Sequence, residues 1–405
     1  MNSSTTLSPL RYHAFLLILL GSLLSNFGNA IQSVGAAWQM TATGQSAEIV
    51  ALVQSATNLP IMLLALPAGA WADMFDRRVV MLAAQIAMML LSLLLAVLSF
   101  AGIASPAAII GLTALLACGV ACFNPALAAS IGGIVPRVEL AAAVALNILA
   151  FNVARSLGPA VGGAIVAVGG SKAAFVANAL SYVAVIAILW RWRPDTPRPE
   201  IRPKLLPAIA EGFRFAAGSP AIRTIMLRAF TFTITGSAAW ALMPLVASDL
   251  LDQGSVTFGL LLGALGLGAV IGAASSTWFR ARYSSEAIIR AAGLLYGLGC
   301  VSVALQPGLP VILVLLVVSG AGWVQALSGF SVAGQLWSPR PIVGRITAMV
   351  SSLTFGGIAL GSLLWGHFAK DHGVAMAFMA SGIGMLILPI IGLVLPMPRH
   401  EASAQ

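Results

Sequence analysis

The chain has 405 residues, of which 59% are hydrophobic and 8% are charged, whereas a typical soluble domain carries about 25% charged residues. Its mean hydropathy is +0.98, so the charged side chains are too few to cover the surface of a soluble protein of this size. These values exclude a water-soluble fold and predict a polytopic membrane protein. The net charge of +9 is then interpreted through membrane topology, and it does not predict a nucleic-acid partner.

Twelve apolar runs follow one another along the chain, each close to the roughly 20 residues that a helix needs to cross a bilayer. Spans 1 to 6 are predicted at residues 14–38, 49–71, 79–101, 107–129, 141–167 and 171–191. Spans 7 to 12 are predicted at residues 221–247, 256–278, 285–306, 309–333, 343–368 and 373–396. Together they predict an all-α membrane protein with 12 transmembrane helices in two pseudo-symmetric six-helix bundles, at residues 1–192 and 221–396.

A polar stretch at residues 193–220 joins the two predicted bundles, and a short tail follows at residues 397–405. Within the stretch, residues 205–217 place apolar side chains at helical spacing, which predicts an amphipathic helix on the cytoplasmic surface of the membrane. The stretch also holds several arginines. Contact with anionic lipids and ordinary solvation of the loop both account for them.

The positive charges are distributed unevenly between the two sides of the membrane. If the N-terminus is cytoplasmic, the cytoplasmic connections hold, besides the central stretch, Arg77, Arg78, Arg137, Arg280, Arg282 and Arg340. The connections on the other side hold Lys172 and Lys370. Because Lys and Arg are retained on the cytoplasmic side, this asymmetry predicts that both termini are cytoplasmic, in the inner (plasma) membrane of a bacterium.

A shift of 203 residues aligns the two halves of the chain. It places Gly69 on Gly272, Arg77 on Arg280, Pro136 on Pro339, Gly158 on Gly361 and Gly163 on Gly366. Such a parallel duplication predicts two halves that meet around a central cavity, and rocking the halves would open that cavity to one side and then to the other.

The connection between spans 2 and 3 contains Gly69, Asp73, Arg77 and Arg78 in the pattern G-x-x-x-D-x-x-x-R-R. This pattern resembles a signature of the major facilitator superfamily of transporters, and the resemblance implies that the loop is part of a gate. We expect Asp73 to interact with the positive N-terminal end of span 11, near residues 344–345. Loop charges that only mark topology are the alternative.

Span 5 contains Gly158, Pro159, Gly162 and Gly163 in the pattern G-P-x-x-G-G. It resembles a motif of the antiporter branches of the same superfamily, which implies outward transport. Proline removes a backbone donor and bends a helix, and the glycines permit close helix contact. A kinked, tightly packed helix without a transport role would have the same composition.

The stretch from Gly28 to Arg78, with Ile31-Gln32 and Asn58-Leu59-Pro60, is most similar to one subgroup of that superfamily. The subgroup contains the enterobactin exporter, transmembrane secretion effectors and drug-efflux carriers. The resemblance implies a proton-driven exporter of small organic molecules that are drug-like or siderophore-like.

Polar side chains within the apolar spans are candidates for the wall of a solute cavity. They are Asn29, Gln32, Gln54, Asn58, Asn124, Asn147, Arg155, Trp240 and Gln325. Arg155 lies near the middle of span 5, where an unpaired arginine costs roughly 2.5–3.5 kcal/mol. We expect it to hold an anionic group of the solute or to belong to an internal polar network. Hydrogen bonds between helices are the alternative role for each of the others.

No acidic residue falls clearly in the middle of a span, so Glu48 and His367 are the candidates for the group that carries the coupling proton. The chain has no nucleotide-binding loop and no cluster of catalytic side chains, which predicts neither ATP hydrolysis nor enzymatic activity. We expect no metal or other cofactor, a small organic solute, protons and membrane lipids as partners, no nucleic acid, and a monomer. A metabolite importer on the same fold and a non-transporting membrane sensor or scaffold are the alternatives.

Overall fold

The computed structural model describes residues 7–192, 205–339 and 342–398, and every regular element in these ranges is a helix. In the first half, span 1 is His13–Ala42, span 2 is Ala47–Met74, span 3 is Arg77–Phe100 and span 4 is Pro106–Ile131. A longer helical stretch, Leu140–Arg191, follows. It contains Gly170 with φ of +70°, a value that only glycine adopts easily, and this residue divides it into span 5 (140–169) and span 6 (171–191).

In the second half, a central helix, Leu205–Gly218, precedes span 7. Span 7 is irregular: it consists of Pro220–Gly236, Ala238–Leu245 and a final π-helical turn, Val246–Leu250. The remaining spans are regular helices. Span 8 is Ser255–Arg280, span 9 is Ser285–Leu305, span 10 is Leu309–Leu336, span 11 is Val343–His372 and span 12 is Val374–Val394.

Eleven helical stretches in the described ranges are long and apolar enough to cross a membrane, and the longest, at Arg137–Arg191, has 55 residues. The chain reverses direction inside this stretch. Gly158 of span 5 approaches Ala30 of span 1 and Gly162 approaches Val34, so these two spans run parallel. Span 6 runs the opposite way along span 1, since Gly28 approaches Ser181 and Gly35 approaches Ala174. The long stretch therefore crosses twice, and the predicted twelve spans are confirmed.

The two halves have matching boundaries at the offset of 203 residues found in the sequence. Span 5 begins at residue 140 and span 11 at 343, and spans 6 and 12 end at 191 and 394. The reversal at Gly170 has its counterpart at Gly373, where φ is +86°. Two six-helix bundles of the same construction are therefore present.

Span boundaries follow from local chemistry. Asp76 accepts hydrogen bonds from the backbone N–H groups of Arg78 and Val79 and so caps span 3, while Ser105 and Ser284 cap spans 4 and 9 in the same way. Such caps satisfy N–H groups that have no partner inside the helix. Capping places the helix starts next to the charged connections, where water is available.

Both described ends of the chain lie on one side of the molecule, as twelve crossings require. We call this side the termini face and the other the opposite face. Spans 2 and 11 pack together, and so do spans 5 and 8, so these two pairs join the halves. The basic residues at 193–204 and Arg340 lie outside the described residues.

Candidate functional site

A cavity of about 240 Å³ lies between the two halves. Solute pockets are typically about 300–1,000 Å³, so the cavity is close to the lower end of that range and suits a small organic molecule. Residues from eight of the twelve spans line it, namely spans 1, 2, 4, 5, 6, 7, 8 and 11. The cavity is therefore a property of the assembled bundle and not of either half.

The wall of the cavity from the first half combines polar residues with apolar ones such as Val34 and Leu116. Its polar members are Asn26, Asn29, Gln32, Ser33, Gln54, Thr57, Asn58, Thr113 and Asn178. Behind this surface the Tyr182 hydroxyl donates to Asn29 Oδ1 at 2.5 Å, and Asn178 Nδ2 donates to Gln32 Oε1 at 2.6 Å. Asn178 Nδ2 also lies 3.2 Å from the Tyr182 hydroxyl. These bonds hold the amide groups of spans 1 and 6 in fixed positions.

The wall from the second half is apolar and is formed by Trp240, Phe258, Leu262 and Phe355. Trp240 is supported from behind by Trp323, with ring centroids 6.0 Å apart. Trp323 in turn lies 5.0 Å from the ring of Tyr296 and 5.4 Å from that of Phe232. Trp323 is 1% exposed, so a rigid aromatic cluster backs this wall.

Arg155 of span 5 projects between the two walls. Its guanidinium carbon lies 4.9 Å from the ring centroid of Trp240, a cation–π contact that joins the halves. Phe151 and Pro159, one turn to either side on the same helix face, also line the cavity. The position of Arg155 on span 5 therefore puts its charge in the middle of the cavity.

Spans 5 and 8 cross closely near the opposite face. A Cβ atom on Gly163 would lie 2.7 Å from Gly259 Cα and 2.7 Å from the carbonyl oxygen of Ser255. Deeper in the pair, Ser156 Oγ donates to the carbonyl oxygen of Gly266 at 2.6 Å. Gly158 and Gly162 face span 1 instead. One face of the motif around Pro159 therefore packs against span 1 within the first half. Its other face packs against span 8 of the second half.

Spans 2 and 11 also pack together at the opposite face, across the cavity from the crossing of spans 5 and 8. Ser55 Oγ donates to the carbonyl oxygen of Ala359 at 2.8 Å, and nearer the surface Lys370 Nζ lies 3.0 Å from Glu48 Oε2. His367 Nδ1 is 3.9 Å from Glu48 Oε1, and its Nε2 is 3.8 Å from Asp371 Oδ2. Glu48 and His367 therefore meet in one charged cluster across the boundary between the halves.

The described contacts between the halves lie toward the opposite face, at Gly163, Ser55 and Glu48. Nearer the termini face, Leu63 of span 2, and Val144 and Ile148 of span 5, have exposed side chains. The halves are therefore joined at the opposite face.

The charged loop between spans 2 and 3 holds together the ends of neighbouring helices of the first half. Arg77 Nη1 donates to the carbonyl oxygen of Ala129 at 2.7 Å, at the end of span 4. Arg78 donates to the carbonyl oxygens of Leu189 and Trp190, at 2.7 and 2.6 Å, at the end of span 6. Cations are favourable at helix C-termini because carbonyl groups are unpaired there.

The surroundings of Gly69 and Asp73 lie outside the described side chains, although both residues belong to span 2. At the start of span 11, Arg345 forms an ion pair with Glu211 of the central helix. Contact between Asp73 and span 11 therefore remains a prediction.

Six of the nine predicted cavity residues line the cavity: Asn29, Gln32, Gln54, Asn58, Arg155 and Trp240. The other three lie elsewhere. Asn124 and Asn147 are on the faces of spans 4 and 5 that carry lining residues, but nearer the termini face. Gln325 Nε2 donates to the carbonyl oxygen of Gly272 at 3.0 Å, between spans 10 and 8. The part that each plays toward a solute remains a prediction.

Sequence reasoning missed Asn178, Thr113 and most of the apolar lining residues. Asn178 and Tyr182 could have been identified from the sequence, because they lie four residues apart in an apolar span and polar groups at that spacing share a helix face. It also missed Glu286, which binds Arg228 and Arg290 at the termini face of the second half. Arg228 is buried there.

The comparisons with known proteins agree with this architecture. The family model described as transmembrane secretion effector, a branch of the major facilitator superfamily, matches residues 4–405. The chain is 28% identical to the multidrug efflux pump Tap of Mycolicibacterium fortuitum over 95% of this chain and 96% of that protein. It is 29% identical to the enterobactin exporter EntS of Shigella boydii serotype 18 over 66% of this chain and 64% of that one.

Solved structures share the fold at low sequence identity. A bacterial homologue of the human lysosomal transporter Spinster, in an inward-facing and unoccupied conformation, superposes with a TM-score of 0.73 at 17% identity and covers 96% of this chain and 95% of its own. A D-xylose-proton symporter superposes with a TM-score of 0.74 at 13% identity, covering 94% and 97%. The predicted fold and the prediction of a transporter instead of an enzyme are confirmed.

Proposed function

The chain belongs to the transmembrane secretion effector family of the major facilitator superfamily, and we propose that it exports small organic molecules from the bacterial cytoplasm by alternating access, in exchange for protons. In this proposal the termini face is cytoplasmic, as the distribution of Lys and Arg predicts. The open cavity then takes up its solute from the cytoplasm. The names of the relatives, a multidrug efflux pump and a siderophore exporter, support export of drug-like or siderophore-like molecules.

One observation carries the proposal: the cavity lies between two halves that touch at the opposite face, and in the proposal they separate at the termini face. The pairs of spans 2 with 11 and 5 with 8 would have to part at the opposite face to release a solute there, together with the smaller contacts of span 2 with span 7 and of Trp38 with Phe258. The glycine crossing between Gly163 and Gly259 gives those helices a close but small contact, which rigid-body rocking can break and remake. We propose that Asp73, with Arg77 and Arg78, stabilises the complementary state in which the termini face is closed.

The proton site in this proposal is the cluster of Glu48, His367, Lys370 and Asp371. It lies at the opposite face, where protons enter from outside the cell, and it joins the two halves in the closed state. Protonation of Glu48 would remove its attraction to Lys370 and so favour separation of spans 2 and 11. Proton entry would thereby be coupled to opening of the opposite face.

Transport in inverted membrane vesicles with a pH-gradient dye tests solute, direction and coupling together. The panel consists of ethidium, a catecholate siderophore and an anilinonaphthalene sulfonate. We expect at least one of these solutes to accumulate in the vesicle lumen and to dissipate the pH gradient, relative to vesicles that lack the protein. Movement in the other direction would favour a metabolite importer, and binding without flux would favour a sensor or scaffold.

Two variants separate proton coupling from solute binding. Glu48→Gln should abolish the solute-dependent change in the pH gradient but leave solute binding intact. Asp252→Asn is the matched control, since Asp252 is an exposed carboxylate at the same face, in the turn after span 7. Normal coupling in Glu48→Gln would remove the charged cluster from the proposal and leave export without an assigned proton site.

A further inference from the structure

We infer that the cavity selects an amphiphilic organic anion, whose acid group pairs with Arg155 and whose planar apolar body lies against Trp240 and its neighbours from the second half. The inference deepens the proposed function and rests on it only for the direction of transport. It follows from the charges, hydrogen bonds and ring contacts of the cavity wall.

The first step concerns charge. Among the described residues that line the cavity, Arg155 is the one charged side chain, and none is Asp or Glu. Within the described parts of the chain, its guanidinium makes no hydrogen bond and no ion pair, and its contact is with the ring of Trp240. An internal polar network, the other role expected of Arg155, would have required such partners. An unpaired cation in a largely apolar site favours an anion and disfavours a cation.

The second step concerns hydrogen-bond donors. Gln32 Oε1 accepts hydrogen bonds from the Ser92 hydroxyl and from Asn178 Nδ2, and Gln32 Nε2 is buried without a partner among the described residues. Likewise, Asn29 Oδ1 accepts from the Tyr182 hydroxyl. The network therefore uses the acceptors of these two amides. Asn29 lines the cavity, so its N–H groups can donate to oxygen atoms of a solute, whereas Gln32 Nε2 is enclosed in the wall.

The third step concerns shape. Trp240, Phe258 and Phe355 present rings or ring edges on the side of the cavity that faces the amides, and Trp323 holds Trp240 in place. A planar apolar body buries its surface against this wall while its acid group reaches Arg155, which already lies over the Trp240 ring. Since Arg155 and Trp240 belong to different halves, such a solute would bind both halves at once.

The test uses two fluorescent probes that differ in one group, 1-anilinonaphthalene-8-sulfonate and neutral N-phenyl-1-naphthylamine. Binding is measured on purified protein in nanodiscs by energy transfer from tryptophan, with empty nanodiscs subtracted. We expect the wild type to prefer the sulfonate. Arg155→Gln should weaken sulfonate binding about 30-fold or more, as loss of one member of a buried charge pair does. It should change binding of the neutral amine less than about 3-fold.

Two further variants keep the test decisive. Lys172→Gln removes a cation that also lies over a ring, that of Phe100, but outside the cavity, and it should leave both probes unaffected. Arg155→Lys retains the charge and should retain part of the preference for the sulfonate, even if Arg155→Gln does not fold. The inference is overturned if the wild type binds the neutral amine as tightly as the sulfonate, or if folded Arg155→Gln loses both probes equally or neither.

The outcome is separable from that of the export proposal. Selective binding of the sulfonate without any flux would refute export and leave this inference standing. Flux of ethidium without selective binding of the sulfonate would support export and refute this inference.

Discussion

The crossing of spans 5 and 8 gives a prediction whose size follows from the structure. In the Gly163→Ala variant, the new Cβ would lie 2.7 Å from both Gly259 Cα and the Ser255 carbonyl oxygen. These are backbone atoms of a helix from the other half, so no side chain can rotate away. Since ordinary contacts begin at 3.4 Å, the two helices must move apart by about 0.7 Å or the contact must break.

Overpacking of this kind typically costs about 1–3 kcal/mol, and the cost applies only while the opposite face is closed. The increase in helix propensity from glycine to alanine is common to both conformations and cancels. A difference of 1–3 kcal/mol corresponds to a shift of about 5- to 150-fold in the ratio of the two conformations. The variant should therefore favour opening of the opposite face and slow the transport cycle.

The measurement is a distance distribution between spin labels at Thr43→Cys and Gln253→Cys, exposed positions at the opposite face in different halves. Cys118, Cys122 and Cys300 are replaced beforehand. We expect a longer-distance population in Gly163→Ala. The matched control is Gly111→Ala, because a Cβ at Gly111 in span 4 meets nothing within 4 Å. Identical distance distributions and transport rates in the two variants would refute the proposal that this crossing holds the opposite face closed.

Two other contacts predict smaller, local effects. Tyr182→Phe removes the hydroxyl that donates to Asn29 and accepts from the buried Asn178 Nδ2. It should destabilise the protein by about 1–3 kcal/mol, because the buried Asn178 amide loses a partner. Thermal unfolding in detergent measures this against Tyr283→Phe, whose ring is half exposed, and equal melting temperatures would contradict it. Arg78→Gln removes two bonds to the end of span 6 and should speed hydrogen exchange at residues 186–191, whereas unchanged exchange there would show that the arginine does not hold this helix end.

How far the sequence determined the fold is clearest at the span boundaries. Runs of about 20 apolar residues can satisfy their backbone groups in lipid only as helices, so composition and the charged connections predicted all twelve crossings. The offset of 203 residues predicted the relation between the halves, and the structure repeats it at Gly170 and Gly373. Local signals of this kind suffice because each span must be apolar regardless of its neighbours.

The residues that line the cavity could not be predicted fully from the pattern within single spans. Polar residues in spans 1 and 2 indicated one wall, but the same amide can face a cavity or bond to another helix, as Gln32 and Gln325 illustrate. Which of the two occurs depends on the rotation of each helix against its neighbours. Apart from Trp240, the apolar wall gave no signal, since Phe258 and Leu262 do not differ in sequence from residues that face lipid.

By itself, the sequence determined that this protein is a helical membrane carrier of twelve spans in two related halves, because lipid imposes helix formation, span length and the placement of charge one segment at a time. Only the tertiary structure decided that Arg155 meets Trp240 and no acid, that Gly163 meets Gly259, and that Glu48 meets His367. Each of these contacts joins residues more than 80 positions apart in the chain and from different halves, so each depends on how the two bundles pack together and not on the pattern within any one span.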